Sequence, residues 1–267
     1  MTTPPSGLRA IAHAALCLTE APHLKHYRRG RFRMWEGVAM TGSELPGPGF
    51  NFAAVLGPAP SLDEILPIAH EFFADATNGW GVLVEGGAGH PMEAELLARG
   101  WVVAEDEPAF VLQRLSDPGP APPELIIRQV QSPEDEVVYH QLLATAFAAP
   151  PEFATLMVPV GPYVTDPDIA IFIGSVDGVD VTAAGYSRYE TMAAVWGIGT
   201  LEAYRGRGYG AAITRAALSH AAANGCESAS LRSGPKSIPL YERLGFQYVC
   251  QHRTYAAPPR PTGDAVA

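Results

Sequence analysis

Along the chain the spacing of apolar positions switches repeatedly between periods near two and near 3.6, and these switches mark out short strands and helices. In the second half, Leu125-Ile126-Ile127 is a β-rich run. Ser132-Pro133 then supplies an N-cap and a proline at the first helical position, with Glu134, Asp135 and Glu136 favoured by the helix dipole, so a helix is predicted to about Phe147. Pro150-Pro151 breaks it, and the apolar stretch 153–158 predicts a further turn or two before Pro159, Gly161 and Pro162. Strands at 170–173 and 181–189 flank Val176-Asp177-Gly178-Val179, whose Asp-Gly pair suits the positive φ of a tight hairpin turn. A third strand over 192–200 follows a turn at Glu190-Thr191. The alanine-rich run 208–224 predicts a long helix stopped at Asn224-Gly225. After it come a strand at 228–231, a short helix at 238–244 capped by Ser237 and ended by Gly245, a strand at 246–250 and a last extended piece at 253–255.

The first half reads as a looser version of the same order. A helix over 8–18 precedes a strand region at 32–41 and an apolar run at 52–56. Ser61-Leu62-Asp63-Glu64 opens a helix to about Ala74, and a strand at 80–84, a helix at 92–99 and a strand at 101–103 follow. Leu96-Leu97-Ala98-Arg99-Gly100-Trp101 repeats the helix, glycine, aromatic order of Tyr241-Glu242-Arg243-Leu244-Gly245-Phe246, which points to a structural duplication. Between the halves, residues 116–123 hold four prolines and a glycine, a composition that disfavours both helix and sheet interior and reads as a linker. The tail 257–267 has a similar composition and no apolar periodicity.

Composition narrows the classes. The 267 residues favour two domains, and with 47% hydrophobic and 17% charged residues the chain is too apolar for disorder, yet no run is long and apolar enough for a membrane span. With no basic stretch leading into an apolar run at the N-terminus, a cytoplasmic location is expected. A formal charge of −10, with acidic residues in excess in both halves, argues against nucleic acid as a partner. Cys17, Cys226 and Cys250 have no CxxC spacing, and His13, His23, His26, His70 and His90 form no HExxH-like pattern, so neither a disulfide framework nor a metal is expected.

The segment Arg205-Gly206-Arg207-Gly208-Tyr209-Gly210 carries the chemistry. It follows a predicted strand and opens a predicted helix; glycines let the main chain approach a ligand closely, and a helix start offers unpaired N–H groups at the positive end of a dipole. Such a loop suits a diphosphate, with Arg205 and Arg207 available for charge-assisted bonds. The glycines run GxGxG, which fails the dinucleotide fingerprint, and no Gly-Lys-Ser/Thr follows as in a P-loop. An RGG-type nucleic-acid segment is disfavoured by the acidic balance.

Residues 198–210, with Arg205, Gly208 and Gly210 at the key positions, resemble the acetyl-CoA-binding motif of the GNAT superfamily of N-acetyltransferases. The segment 240–246 resembles the family's later motif, and the element order over 124–256 is similar as well. The resemblance implies an α/β (α+β) fold of two GNAT-like domains, each a mixed, mostly antiparallel sheet flanked by helices. Residues 1–115 would be a degenerate domain without a CoA loop, and 124–256 the acetyl-CoA-binding domain. It implies Ile198, Gly199 and Thr200 along the pantetheine arm and Arg205, Gly206, Arg207, Gly208, Tyr209, Gly210 and Ala211 around the diphosphate, with acetyl-CoA as acyl donor. The acceptor would be a primary amine of a small molecule or peptide, bordered by the largely apolar 147–163 segment, and a homodimer is compatible with this reading. Tyr241 matches the tyrosine that often protonates the departing thiolate. The strand 192–199 has no ionisable residue to act as base; Glu190, Glu202 and His140 are the nearby candidates, each reading first as a surface group, and Glu190 is the one carried forward. The alternative function is a catalytically silent acyl-CoA sensor. In the first half the position of the loop is taken by Gly57-Pro58-Ala59-Pro60-Ser61, whose prolines remove amide donors.

Overall fold

The computed structural model describes residues 6–18, 20–76, 79–86, 89–115, 119–149 and 163–258. The turn expected at 153–158, and with it most of the segment expected to border the acceptor, lies outside the described residues, as do linker residues 116–118 and most of the tail.

In the first half, α1 (Ser6–Leu18) and α2 (Glu20–Leu24) precede β1 (Arg31–Trp35), β2 (Val38–Gly42), β3 (Phe52–Val55), α3 (Leu62–Phe72), β4 (Gly81–Gly86), α4 (Pro91–Ala98) and β5 (Val102–Leu112). The second half runs β6 (Ile126–Gln129), α5 (Pro133–Ala146), β7 (Ile169–Val176), β8 (Val179–Tyr189), β9 (Met192–Thr200), α6 (Tyr209–Ala223), β10 (Ser228–Arg232), α7 (Ile238–Arg243) and β11 (Gln247–Ala256). From β1 and from β7 onward the two halves repeat one order: three strands, a helix, a strand, a helix and a strand.

All eleven strands form one mixed sheet in the order β1-β2-β3-β4-β11-β5-β10-β9-β8-β7-β6. Each half contains one parallel pair, β3 with β4 and β9 with β10. The final strands are exchanged. β11 lies between β4 and β5, and β5 between β11 and β10, so the ladders β11–β4 and β5–β10 both cross between the halves. The proline-rich linker marks the middle of the chain but does not divide the sheet.

Two local expectations change. The 32–41 run is a hairpin rather than one strand, reversing at Glu36 (φ 43°) and Gly37 (φ 83°). The strand expected at 101–103 continues to Leu112, past Glu105, Asp106, Glu107 and Pro108, whose polarity and missing N–H hide it in the sequence. Pairing on both sides overrides the poor local propensity.

Helices cover both faces. On one, α6 and α7 bury Ile213, Ala217 and Tyr241 against Phe172, Ala184, Val195, Phe110 and Leu231. On the same face of the first half, Leu62, Ile65 and Ala69 of α3 pack on Val38, Met40, Val55 and Val82. On the other face α1 crosses the middle of the sheet, with Leu8 and Ala12 on Ala109, Val111 and Val249, and Leu16 on Ala54 and Leu83. At about 1.5–3 kcal/mol for each buried leucine, these contacts suffice to hold α1 against the exchanged strands. Alongside it α5 packs Tyr139, Leu142 and Leu143 on Ile169, Ile171 and Ile173.

Candidate active site

The parallel pair β9–β10 is short. Its register covers Met192 with Ser228, Ala193 with Ala229 and Ala194 with Ser230, and beyond Ala194 the two strands part. On the far side of β9, pairing with β8 jumps from Trp196–Gly185 to Gly199–Ala183, a bulge with Gly197 at φ 59°. A bulge bends its strand and turns backbone groups out of the ladder. No side chain fits at 197, since a Cβ there would lie 2.4 Å from the Tyr139 hydroxyl. The result is a cleft in the sheet whose β9 wall, Ile198 to Thr200, presents main chain without a strand partner on the β10 side.

The glycine loop sits at the end of that wall. Gly206 (φ 77°) and Gly208 (φ 85°) are left-handed, and Gly208 is the N-cap of α6. The Ala212 amide donates to the Gly208 carbonyl, 3.0 Å, and closes the helix's first turn. By helix geometry the amides of Tyr209, Gly210 and Ala211 then lack intrahelical acceptors, and α6 carries no acidic residue in its first turn. The arginines are not free as the sequence suggested. Arg205 donates from Nε to the Thr200 carbonyl (3.0 Å) and from Nη2 to the Ala146 carbonyl (2.7 Å), tying the end of β9 to the last turn of α5. Arg207 donates to the Ala203 carbonyl at 3.2 Å and lies over the Tyr204 ring. The loop thus offers unpaired main-chain amides at the start of α6, while Arg205 holds it against strand and helix.

Tyr241, on α7, is 5% exposed, packed edge-on to Phe246, and burial pushes its phenol up to about 12. It is neutral at physiological pH and retains a proton to donate. On the α1 side of the sheet, at the same opening, is a cavity of about 200 Å³. Its walls include Trp196 and Gly197 of β9, Ser230 and Arg232 of β10, Ser187 of β8, Glu107 of the exchanged strand β5, and Ala12 and Leu16 of α1. Glu107 pairs with Arg232 at 3.1 Å. Ser187 Oγ and Trp196 Nε1 are buried without hydrogen-bond partners among the described residues. Two buried, unpaired polar atoms lining a void favour a polar guest.

The other base candidates fall elsewhere. Glu190 is exposed in the β8–β9 turn, before Met192, whereas the cleft opens beyond Ala194; at about 3.3 Å per residue it lies on the order of 20 Å from Gly197. Glu202 is exposed beside the loop. His140 is not a surface group: it is 1% exposed, beside Tyr139 and Tyr163, with Nε2 3.8 Å from Glu136 Oε1 and no hydrogen bond to either ring nitrogen among the described residues. Glu107, the carboxylate that does line the cavity, went unrecognised because it comes from the other half of the chain in a segment that does not read as strand. Its alternation with Glu105 ahead of an apolar 109–112 run was the available signal.

In the first half, the loop 57–61 leads into α3, where the Ser61 amide donates to Glu64 Oε2 at 2.9 Å and Asp63 adds a second acid in the first turn. This helix start is already satisfied by a carboxylate.

Residues 139–246 match the model of the acetyltransferase (GNAT) family. No curated protein matches the chain in sequence. Among solved structures, a GCN5-related N-acetyltransferase from Kribbella flavida superposes with a TM-score of 0.69 at 20% identity, covering 93% of this chain and 96% of that one. One from Sphaerobacter thermophilus gives 0.59 at 14% identity, over 98% and 99%. A tandem GNAT protein from the clavulanic acid biosynthesis pathway gives 0.55 at 11% identity, over 98% and 99%. At these identities the likeness is one of fold, and it extends over both halves. No helix among the described residues is long and apolar enough to cross a membrane.

Proposed function

We propose that the protein transfers the acetyl group of acetyl-CoA to a primary amine bound in the cavity between α1 and the β9–β10 opening. The observation that carries this reading is that the β9–β10 opening lies between the amide-rich start of α6 and a cavity lined by a carboxylate, Glu107. The diphosphate lies on the amides of 209–211, and the pantetheine arm runs along Ile198 to Thr200, where a backbone N–H stabilises the oxygen as it gains charge. Glu107 accepts the proton that the ammonium must lose, the amine nitrogen attacks the thioester carbonyl, and Tyr241 protonates the departing CoA thiolate. Arg232 Nη1, 3.1 Å from Glu107 Oε2, holds the carboxylate against the wall. Ser187 Oγ and Trp196 Nε1 supply hydrogen bonds that fix the acceptor.

The test is a screen of small amines and peptide N-termini by CoA thiol release, with mass spectrometry of the products. Acetylated product with at least one amine class supports the reading. Tight acetyl-CoA binding with no turnover across the library would favour a silent acyl-CoA sensor instead.

A further inference from the structure

A second cluster of chemically competent side chains lies outside the cleft, where α1 crosses the exchanged strands. His13 Nε2 on α1 is 3.9 Å from Cys250 Sγ on β11, and Cys250 Sγ is 3.5 Å from His252 Nε2 two residues on. These three ligand atoms all lie within 4.8 Å of one another. A fourth candidate, Glu85 Oε2 of β4, is 3.1 Å from His13 Nε2. Cys250 and His252 share a face because they are two apart on a strand, and His252 stands opposite Glu85 in the ladder. Cys250 is 3% exposed, His252 1% and Glu85 8%.

We propose that His13, Cys250, His252 and Glu85 form a tetrahedral site for a divalent transition-metal ion of the zinc type. Bond lengths of about 2.0–2.3 Å imply tetrahedron edges of roughly 3.3–3.6 Å; the ligand atoms of His13, Cys250 and His252, all within 4.8 Å of one another, reach that with shifts of up to about 1 Å, whereas Glu85 Oε2 stands close to His13 alone and its carboxylate must swing inward to close the fourth position. The donor set of one thiolate, two imidazoles and one carboxylate is one that zinc accepts. Part of a second sphere is present, on the Glu85 side, while His252 Nδ1 is buried without a hydrogen-bond partner among the described residues. Arg9 Nη1 holds Glu85 Oε1 at 2.6 Å, leaving Oε2 turned to His13. Imidazole nitrogens, a sulfur and a carboxylate oxygen thus converge in a buried space, a donor set that a cation draws together. The ion would fasten α1, from the start of the described chain, to β11, the last strand, and so set the wall of the cavity that α1 provides. Sequence spacing could not show the site, since its ligands come from positions 13, 85, 250 and 252.

The experiment uses the full chain, stripped with chelator and titrated with Co²⁺ alone. About one Co²⁺ per chain with a thiolate-to-metal charge-transfer band in the near ultraviolet and d–d bands of tetrahedral intensity is expected. Zn²⁺ should bleach both. Cys250→Ser, close to isosteric, should lose the charge-transfer band, and His252→Ala should weaken Co²⁺ binding by at least about tenfold. Acetyl-CoA binding by each variant reports whether it has folded, and a thermal midpoint that Zn²⁺ raises in the wild type but not in Cys250→Ser gives a second readout. The proposal is overturned if the stripped protein shows no such band, or if folded Cys250→Ser keeps it unchanged.

Discussion

The segment 57–61 and the segment 205–210 occupy equivalent places, each joining the third strand of its half to the following helix, yet they offer a ligand opposite chemistry. In the second half two left-handed glycines turn the chain into α6, whose first-turn amides are unclaimed and whose first turn has no acid. In the first half Pro58 and Pro60 carry no N–H, and Asp63 and Glu64 occupy the dipole's positive end. The following helices differ in step. The Phe246 amide donates to the Tyr241 carbonyl and the Trp101 amide to the Leu96 carbonyl, both at 3.0 Å, so leucine stands in the first half where the second has its phenol. The element order occurs twice, and the amide-rich, acid-free helix start occurs in only one of the two places.

The largest effect is expected from giving the active loop the composition of the silent one. Gly208→Pro forces φ from 85° to about −65° and should weaken acetyl-CoA binding by more than about 100-fold in calorimetry. The reciprocal pair Pro58→Gly and Pro60→Gly should leave the stoichiometry at one acetyl-CoA per chain, because Asp63 and Glu64 remain; a second equivalent would break the contrast. Next, Tyr241→Phe should lower kcat by roughly 100-fold with the KM for acetyl-CoA little changed, and Leu96→Tyr should add nothing. Burial raises the phenol to about 12, so its proton-bearing form persists above the usual range and kcat should not fall around pH 10. A fall centred there would show an ordinary, solvated phenol. Glu107→Gln should lower kcat/KM by roughly tenfold or more at pH 7 while the chain stays folded, showing that the first half contributes a base though it binds no cofactor.

The smallest effect concerns the seam between the halves. His23 of α2 lies edge-on to Tyr163 and Trp196, and burial, then His26, lower it to about 3. The unfolded chain, with an ordinary histidine near 6.5, takes up more protons between those values. Stability is therefore complete above about pH 6.5 and lost as pH falls toward 3, by on the order of 1–2 kcal/mol at pH 5. Thermal midpoints at pH 7 and pH 5 should converge in His23→Gln.

Much of the frame was legible where local signals are strong. Ser132-Pro133 marks the start of α5, Asp177-Gly178 the β7–β8 turn, and Arg205 to Gly210 the entry to α6, all in register with the structure. The features that escaped depend on distant partners. β5 looks like loop around Glu105–Pro108 and becomes strand because β11 and β10 hold both its edges. Glu107 reaches the cavity only through that exchange. The bond from Arg205 to the Ala146 carbonyl was hidden for a related reason, since packing alone brings the end of α5 beside the loop. What sequence periodicity cannot express is which strand stands beside which.

That exchange also sets an order of events during synthesis. β5 leaves the ribosome with neither of its eventual neighbours yet made, since β10 and β11 both come later in the chain. The nascent first half must wait with β4 and β5 unpaired along the edges that β11 will fill. Because pairing across such separations is slow and bare strand edges attract other chains, this protein should depend on chaperones that shield strands more than its regular helices suggest.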